Sequence, residues 1–344
     1  MIRHVAANGL TLLILALVVL FGLVSWGQSR YRAPGPLAAP LVFEVPRGAG
    51  LASVSRDLAD KGAISSESLF RIAARYTGAE AGLKFGEYEI PAGASMEDIL
   101  ALLNEGANVI RQVVVPEGWT SWQVVEMLKA NPELSGDIAD IPTEGSLAPA
   151  GYDFQRGDDR NALLGRMQAE QQEILAAAWA GRSPDLPLRT PEELLTLASI
   201  VEKETGLPEE RPQVAAVFVN RLERGMRLQT DPTVIYGVTG GRDILGRGLR
   251  ASELAARTPY NTYVIDGLPP TPIANPGKDA IAAAANPPRT EDVYFVADGS
   301  GGHAFARTLQ DHNANVARWR RIEADRARAA QEAEPAAPET APAQ

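Results

Sequence analysis

The chain has no cysteine and only three histidines, His4, His303 and His312, in 344 residues. The first absence excludes disulfides, thiolate nucleophiles and Cys-ligated metals. The second would leave a zinc site dependent on carboxylates for most of its ligands, so neither a metal nor any other cofactor is expected. Cations are in deficit as well: 33 Lys and Arg stand against 43 Asp and Glu, a formal net charge of −10. A surface of that sign argues against nucleic acid or anionic lipid as the main partner. Charge is missing altogether between Val5 and Ser29, and Leu10 to Trp26 is almost wholly apolar. About twenty such residues cross the hydrocarbon core of a bilayer as a helix, and Trp26 suits the interface. A cleaved signal peptide is the competing reading, but the run is long and no A-x-A site follows closely. Residues 1–29 are therefore read as a short cytoplasmic tail and a single-span anchor, with the bulk of the chain outside the cytoplasm.

Residues 30–41 contain several prolines and alanines and read as a stiff, extended linker. A strand–turn–helix pattern then occurs three times, around Val45-Pro-Arg-Gly48, Ile90-Pro-Ala-Gly93 and Val115-Pro-Glu-Gly118. The proline ends each strand, the glycine permits the tight turn, and Ser53, Ser95 or Thr120–Ser121 offers a cap. The apolar faces that follow are Leu51, Val54, Leu58 and Ala59, then Met96, Ile99, Leu100 and Leu103, then Trp122, Val125, Met127 and Leu128. Ser66 to Tyr76 reads as a further helix and Lys84 to Ile90 as a returning strand. This strand–helix–helix–strand order over residues 42–113 resembles LysM-type carbohydrate-binding modules. The same pattern also suits a packing module that spaces the rest of the chain from a membrane, because the pattern carries no site by itself.

Leu134 to Arg160 is rich in Gly, Pro and Asp and reads as loop, and Asn161 to Trp179 as a long helix with Leu163, Met167, Ile174 and Leu175 inward. Pro191, followed by Glu192 and Glu193, opens a helix whose Leu194, Leu197, Ala198 and Val201 share one face, and Gly206 and Pro208 end it. Glu202 and Glu204 fall in its last turn. An apolar surround and the negative end of the helix dipole both push a carboxyl pKa upward, which is what a general acid needs. Solvated glutamates at a helix end are the plain alternative. Arg211 to Arg224 reads as another helix. Val234–Tyr236, Val264–Ile265 and Asp292–Ala297 read as strands, the last as a central one. Residues 323–344 lose apolar periodicity and read as a disordered tail.

Gln229, Thr230 and Asp231 are expected together at the mouth of the strand that follows them. Tyr260, Asn261 and the proline-rich Gly267–Pro276 add amides and a rigid loop, and Gly299–Phe305 places His303 on a glycine-rich turn. Such loops meet sugar hydroxyls through neutral hydrogen bonds beside aromatic faces. Turn capping is the alternative for each residue taken singly.

Leu197-Ala-Ser-Ile-Val-Glu-Lys-Glu-Thr205, Val219-Asn-Arg-Leu222, Met226-Arg-Leu-Gln-Thr-Asp-Pro-Thr-Val-Ile-Tyr236, Pro259-Tyr-Asn-Thr-Tyr263, Gly267-Leu-Pro-Pro270, Phe295-Val-Ala-Asp-Gly299 and Gly302-His303 closely resemble the MltG (YceG-like) endolytic murein transglycosylase family. The resemblance runs from about Val42 to Arg320. It implies an α+β protein: a single N-terminal transmembrane helix, a small LysM-like module at 42–113 and a larger catalytic domain at 114–322. The chain departs from the family at Pro149-Ala-Gly-Tyr152, where an acidic-Thr-Tyr run is usual.

The implied activity is non-hydrolytic cleavage of MurNAc–GlcNAc bonds within nascent peptidoglycan strands, ending strand elongation. The place is the periplasmic side of the bacterial inner membrane, and the implied partners are glycan strands and peptidoglycan synthases. One acid protonates the glycosidic oxygen, and its carboxylate then takes the proton of the muramyl O6, which closes on C1 to leave a 1,6-anhydro end. No water and no second carboxylate are needed, unlike two-carboxylate glycosidases. Glu204 is the first choice for that acid and Glu202 the second. Glu204 has Leu197, Ile200 and Val201 behind it, and Glu204-Thr205 is similar to the Glu-Ser pair of other lytic transglycosylases. Gln229, Thr230, Asp231, Tyr260, Asn261 and His303 are the candidate substrate contacts. The alternatives are a hydrolytic muramidase, with Asp231 as second carboxylate, and a non-catalytic glycan-binding scaffold.

Overall fold

The structure, a computed structural model, describes residues 2–333. It is an α+β protein with small sheets, and its chain divides into two compact units. The first holds residues 1–113 with the short segments 133–135 and 153–158; the second holds the remainder.

The first unit opens with α1 (Ile2–Arg32). Its stretch Leu10–Arg32 is long and apolar enough to cross a membrane, and the most apolar part of it is not buried in the protein. The helix continues through Arg30–Arg32, so the extended linker begins only afterwards. Tyr31 explains the difference by packing on the core of this unit, with Arg32 bonded to Glu97 at 3.3 Å. Strands β1 (Leu41–Val45) and β2 (Gly86–Ile90) pair antiparallel, Phe43 opposite Tyr88. Between them run α2 (Leu51–Asp60) and α3 (Glu67–Tyr76), and α4 (Met96–Glu105) follows. Phe43, Leu58, Phe70, Tyr88, Ile99 and Leu103 make the core. Ser95 closes a capping box with Asp98 at the start of α4, whereas α2 starts at Gly50 with no side-chain cap.

From β3 (Arg111–Val114) the chain enters the second unit, where Thr120 and Gln123 form a capping box for α5 (Ser121–Ala130). The buried face of α5 is Ser121, Val124, Val125 and Leu128; Trp122 and Met127 are only partly covered. Strand β4 (Gly151–Phe154), which pairs with β3, lies in the stretch expected to be loop. Its four residues alternate, burying Tyr152 and Phe154, a signal too short to stand out among glycines and prolines.

The second core is helical. After α6 (Arg160–Ala180), α7 (Pro191–Glu204) crosses α8 (Arg211–Glu223) and α11 (Lys278–Ala285). Leu197, Ile200 and Val201 of α7 meet Val214, Ala215 and Phe218 of α8, and Ala283, Ala284 and Ala285 keep α11 slim enough to lie close to both. Burying each of the larger apolar side chains contributes about 1.5–3 kcal/mol.

Three strand expectations change here. Val234–Tyr236 belongs to a helix, α9 (Asp231–Thr239), because Pro232 suits its first turn and Gly240, at φ 61°, closes it in the left-handed region. These caps outweigh the strand preference of the β-branched residues between them. Val264 and Ile265 lie in a turn, both N–H groups donating to the Asn261 carbonyl at 2.9 and 3.0 Å. The apolar run near Phe295 does form a strand, β5 (Tyr294–Ala297), but its sheet holds only one other strand, β6 (His303–Ala306), so it is not central. Between α9 and α11 lies the one-turn α10 (Ala251–Ala255). The last helix, α12 (Leu309–Ala333), continues through residues expected to be disordered. Segment 323–333 is rich in Ala, Arg and Glu, good helix formers even without an apolar stripe, and Arg328 pairs with Asp325 at 3.1 Å. Residues 334–344 of that expected tail lie outside the described residues.

Candidate active site

Helix α7 ends at the two acids because Thr205 leaves helical geometry, at φ −137° and ψ 132°, while its N–H still reaches the Val201 carbonyl. The last turn is thereby held against the core, and the two carboxylates leave it in different directions.

Glu202 is fully engaged. One oxygen accepts from Arg211 Nη2 at 3.0 Å and the other from the Gly277 N–H at 2.9 Å, where α11 begins. Arg211 in turn reaches Glu117 at 2.7 Å. Burial raises the Glu202 pKa, and the Gly277 N–H and the Arg211 charge only partly oppose it.

Glu204 has a different surround. Its carboxyl accepts a short hydrogen bond from the Thr230 hydroxyl. Burial is the main reason its pKa is raised; the nearby Asp231 raises it further, while the Thr230 bond, His303 and Arg221 pull it down. The result is a carboxyl biased towards its protonated form and met by an uncharged donor, next to groups of both signs.

The Thr230 hydroxyl is placed by the chain around it. Gln229 is the only non-glycine residue at positive φ among the described residues, at 50°. Such a conformation persists where neighbours enforce it. Here the Gln229 N–H donates to the Thr262 carbonyl at 3.2 Å and Thr230 N–H to the Thr262 hydroxyl at 3.0 Å. Thr233 Oγ1 donates to the Thr230 carbonyl at 2.8 Å. Thr230 is the cap residue of α9, though its side chain turns to Glu204 instead of capping. Tyr263 donates to Asp231 Oδ1 at 2.6 Å.

Of the residues expected to meet substrate, Thr230, Asp231 and His303 gather around Glu204, and Gln229 shapes the turn that presents Thr230. Tyr260 stands apart: its ring tilts on Tyr236 at 5.0 Å and its hydroxyl is hydrogen-bonded to the Thr271 hydroxyl at 2.8 Å. Asn261 has no exposed surface. Its amide donates to the carbonyls of Glu253, Leu254 and Ala256 and accepts from the Tyr263 N–H at 3.0 Å. It positions Tyr263 and presents no free edge to solvent.

Several site residues were not expected individually. Arg221 is buried under the turn, donating to the carbonyls of Val293 at 2.6 Å and Leu228 at 2.8 Å. Its signal was available as a cation inside the apolar stripe of α8. A further, half-buried carboxylate, Glu144, accepts from Ser121 N–H at 2.8 Å and Tyr236 hydroxyl at 3.2 Å, and burial raises its pKa. Nothing in its local sequence distinguishes it from a turn residue. Among the described residues no group of three or more His, Cys, Asp or Glu side chains is gathered for a metal ion.

The YceG-like family profile matches residues 43–318, most of the chain and all the residues just described. The chain belongs to the YceG-like family. Among YceG-like relatives, the endolytic murein transglycosylase of Bacillus subtilis (strain 168) is 30% identical over 302 residues, covering 79% of this chain and 82% of that protein. The endolytic murein transglycosylase of Streptococcus pneumoniae serotype 2 (strain D39 / NCTC 7466) is 29% identical over 322 residues, which is 57% of its length. A crystal structure of the yceG-like protein lmo1499 from Listeria monocytogenes is 30% identical and covers 80% of this chain and 98% of that one, with a TM-score of 0.49.

Proposed function

We propose that the chain is an endolytic peptidoglycan lytic transglycosylase in which Glu204 is the general acid. The observation that carries this reading is the contrast between the two acids of α7. Burial raises the pKa of both, but Glu202 is held on both oxygens by Arg211 and Gly277, whereas the half-buried Glu204 is met by one hydroxyl alone. A carboxyl of the second kind is biased towards its protonated form and suited to give a proton to a glycosidic oxygen. The muramyl O6 then closes on C1, and in the one-acid scheme the Glu204 carboxylate takes the O6 proton. Thr230 orients the acid. Asp231, Gln229 and His303 are the groups offered to the sugars, with Asn261 supporting Tyr263 behind them.

The names of the Bacillus and Streptococcus relatives support murein as the substrate. The apolar α1 supports a single-pass anchor in the inner membrane, with the two units outside the cytoplasm. The order of elements in the first unit supports a LysM-like role in holding glycan, and action on nascent strands beside a synthase follows from a membrane-tethered, glycan-cutting domain.

The test is product analysis on purified glycan strands. Glu204→Gln is expected to abolish release of 1,6-anhydro ends with the fold intact, and Glu202→Gln to retain measurable release. The reverse outcome moves the acid to Glu202. One specific contact favours a second reading: Tyr263 holds Asp231 beside Glu204, which is how a hydrolase would place a second carboxylate. Products heavier by one water would select it.

A further inference from the structure

His303 is held more firmly than a sugar-contacting side chain requires. Its Nδ1 lies 2.7 Å from Glu210 Oε2, and its own backbone N–H donates to Glu210 Oε1 at 2.7 Å, so both oxygens of one carboxylate serve one residue. Glu210 also accepts from the Thr205 hydroxyl at 3.3 Å, and Thr205 directly follows Glu204. The Phe295 ring meets the imidazole edge-on at 5.2 Å and fixes its plane. A side chain at Gly302 would collide with the Glu210 carboxylate, so the chain before His303 is shaped to let Glu210 in. Imidazole and carboxylate are each mostly covered, at 17% and 15% exposure. With Nδ1 donating to Glu210, the neutral ring leaves Nε2 as an acceptor, and Nε2 has no protein partner among the described residues. The imidazole is also close enough to Glu204 to act on that carboxyl once it carries a proton.

A carboxylate that fixes the tautomer and plane of an imidazole whose other nitrogen is free is the arrangement that makes histidine a general base. We infer that His303, positioned by Glu210, is a second catalytic residue that takes the proton of the muramyl O6. The inference rests on the transglycosylase reading and replaces the second half of its one-acid scheme. As O6 bonds to C1, its proton goes to Nε2. The bond from C1 to the leaving oxygen breaks with its electron pair on that oxygen, which receives the proton of Glu204. His303 is left as imidazolium beside the Glu204 carboxylate. Return of the proton from Nε2 to Glu204 restores both groups with no co-reactant.

The experiment uses the full-length enzyme in detergent micelles with purified glycan strands, reading 1,6-anhydro ends by mass. His303→Ala is expected to lower kcat by about 10²-fold or more with KM little changed, and added imidazole to restore part of the loss. Imidazole should not rescue Glu204→Gln. Glu210→Gln should lower kcat by about 10–100-fold, the scale of losing a partner that orients a histidine. A kcat for His303→Ala within about threefold of wild type, a loss confined to KM, or no imidazole rescue in a folded variant would each overturn the inference. If His303→Ala fails to give a cooperative thermal transition, His303→Gln is read for kcat by the same criterion. Wild-type enzyme that releases no anhydro ends would instead refute the transglycosylase reading itself.

Discussion

Glu202 and Glu204 sit two residues apart on one helix, yet substituting them should have opposite effects on stability. Burial raises the Glu204 pKa above its ordinary 4.5. Between the unfolded and the folded pKa the native state binds the extra proton, so stability falls as pH rises through that window and is unaffected below it. Glu204→Gln removes the titration. It should melt at or above the wild-type temperature near pH 7 and show no such advantage near pH 4, by thermal unfolding at both pH values. The activity of the wild type should fall as pH rises through the folded pKa of Glu204, because the acid must be protonated to act. Glu202→Ala removes one of the two carboxylates on the buried Arg211 and leaves it Glu117, so the cost should be about 1.5–3 kcal/mol, the scale of a hydrogen bond to a charged group. Denaturant unfolding should show that loss.

At the scale of elements, the site depends on how closely α7, α8 and α11 approach. Ala284 has no exposed surface where α11 packs against α7. Ala284→Leu should destabilise by about 1–3 kcal/mol through overpacking, read as a lower denaturant midpoint. It should also weaken activity by moving the end of α7. Helix α9 is legible once Pro232 and Gly240 are weighed above Val234 and Ile235. Gly240 occupies left-handed backbone at φ 61°, so Gly240→Ala should cost about 1 kcal/mol. The run Val-Ile-Tyr pointed to a strand through its β-branched residues, and three residues are too few to separate a period of 2 from one of 3.6.

For the whole molecule, the proposed anchor is testable by truncation. Because Tyr31 and Arg32 pack with the first unit, the cut belongs before Gly27. A chain lacking residues 1–26 should move from the membrane to the soluble fraction, cut free glycan strands at the wild-type rate, and lose action on membrane-attached nascent strands. Retention in the membrane fraction would show that α1 is not what holds the protein there.

The sequence by itself determined α7, its Pro191 opening and its apolar face, the apolar N-terminal helix, and the strand–turn–helix units, since each depends on residues within a few positions of one another. The motifs also brought Glu204, Thr230, Asp231 and His303 forward as candidates. What each acid meets was decided only by the tertiary structure. Arg211 and Gly277 reach Glu202 from 9 and 75 positions away, Thr230 reaches Glu204 from 26, and Glu210 reaches His303 from 93. Helical periodicity specifies which way a side chain leaves its own helix; which partner waits there, and how much water is excluded, depends on the packing of distant segments.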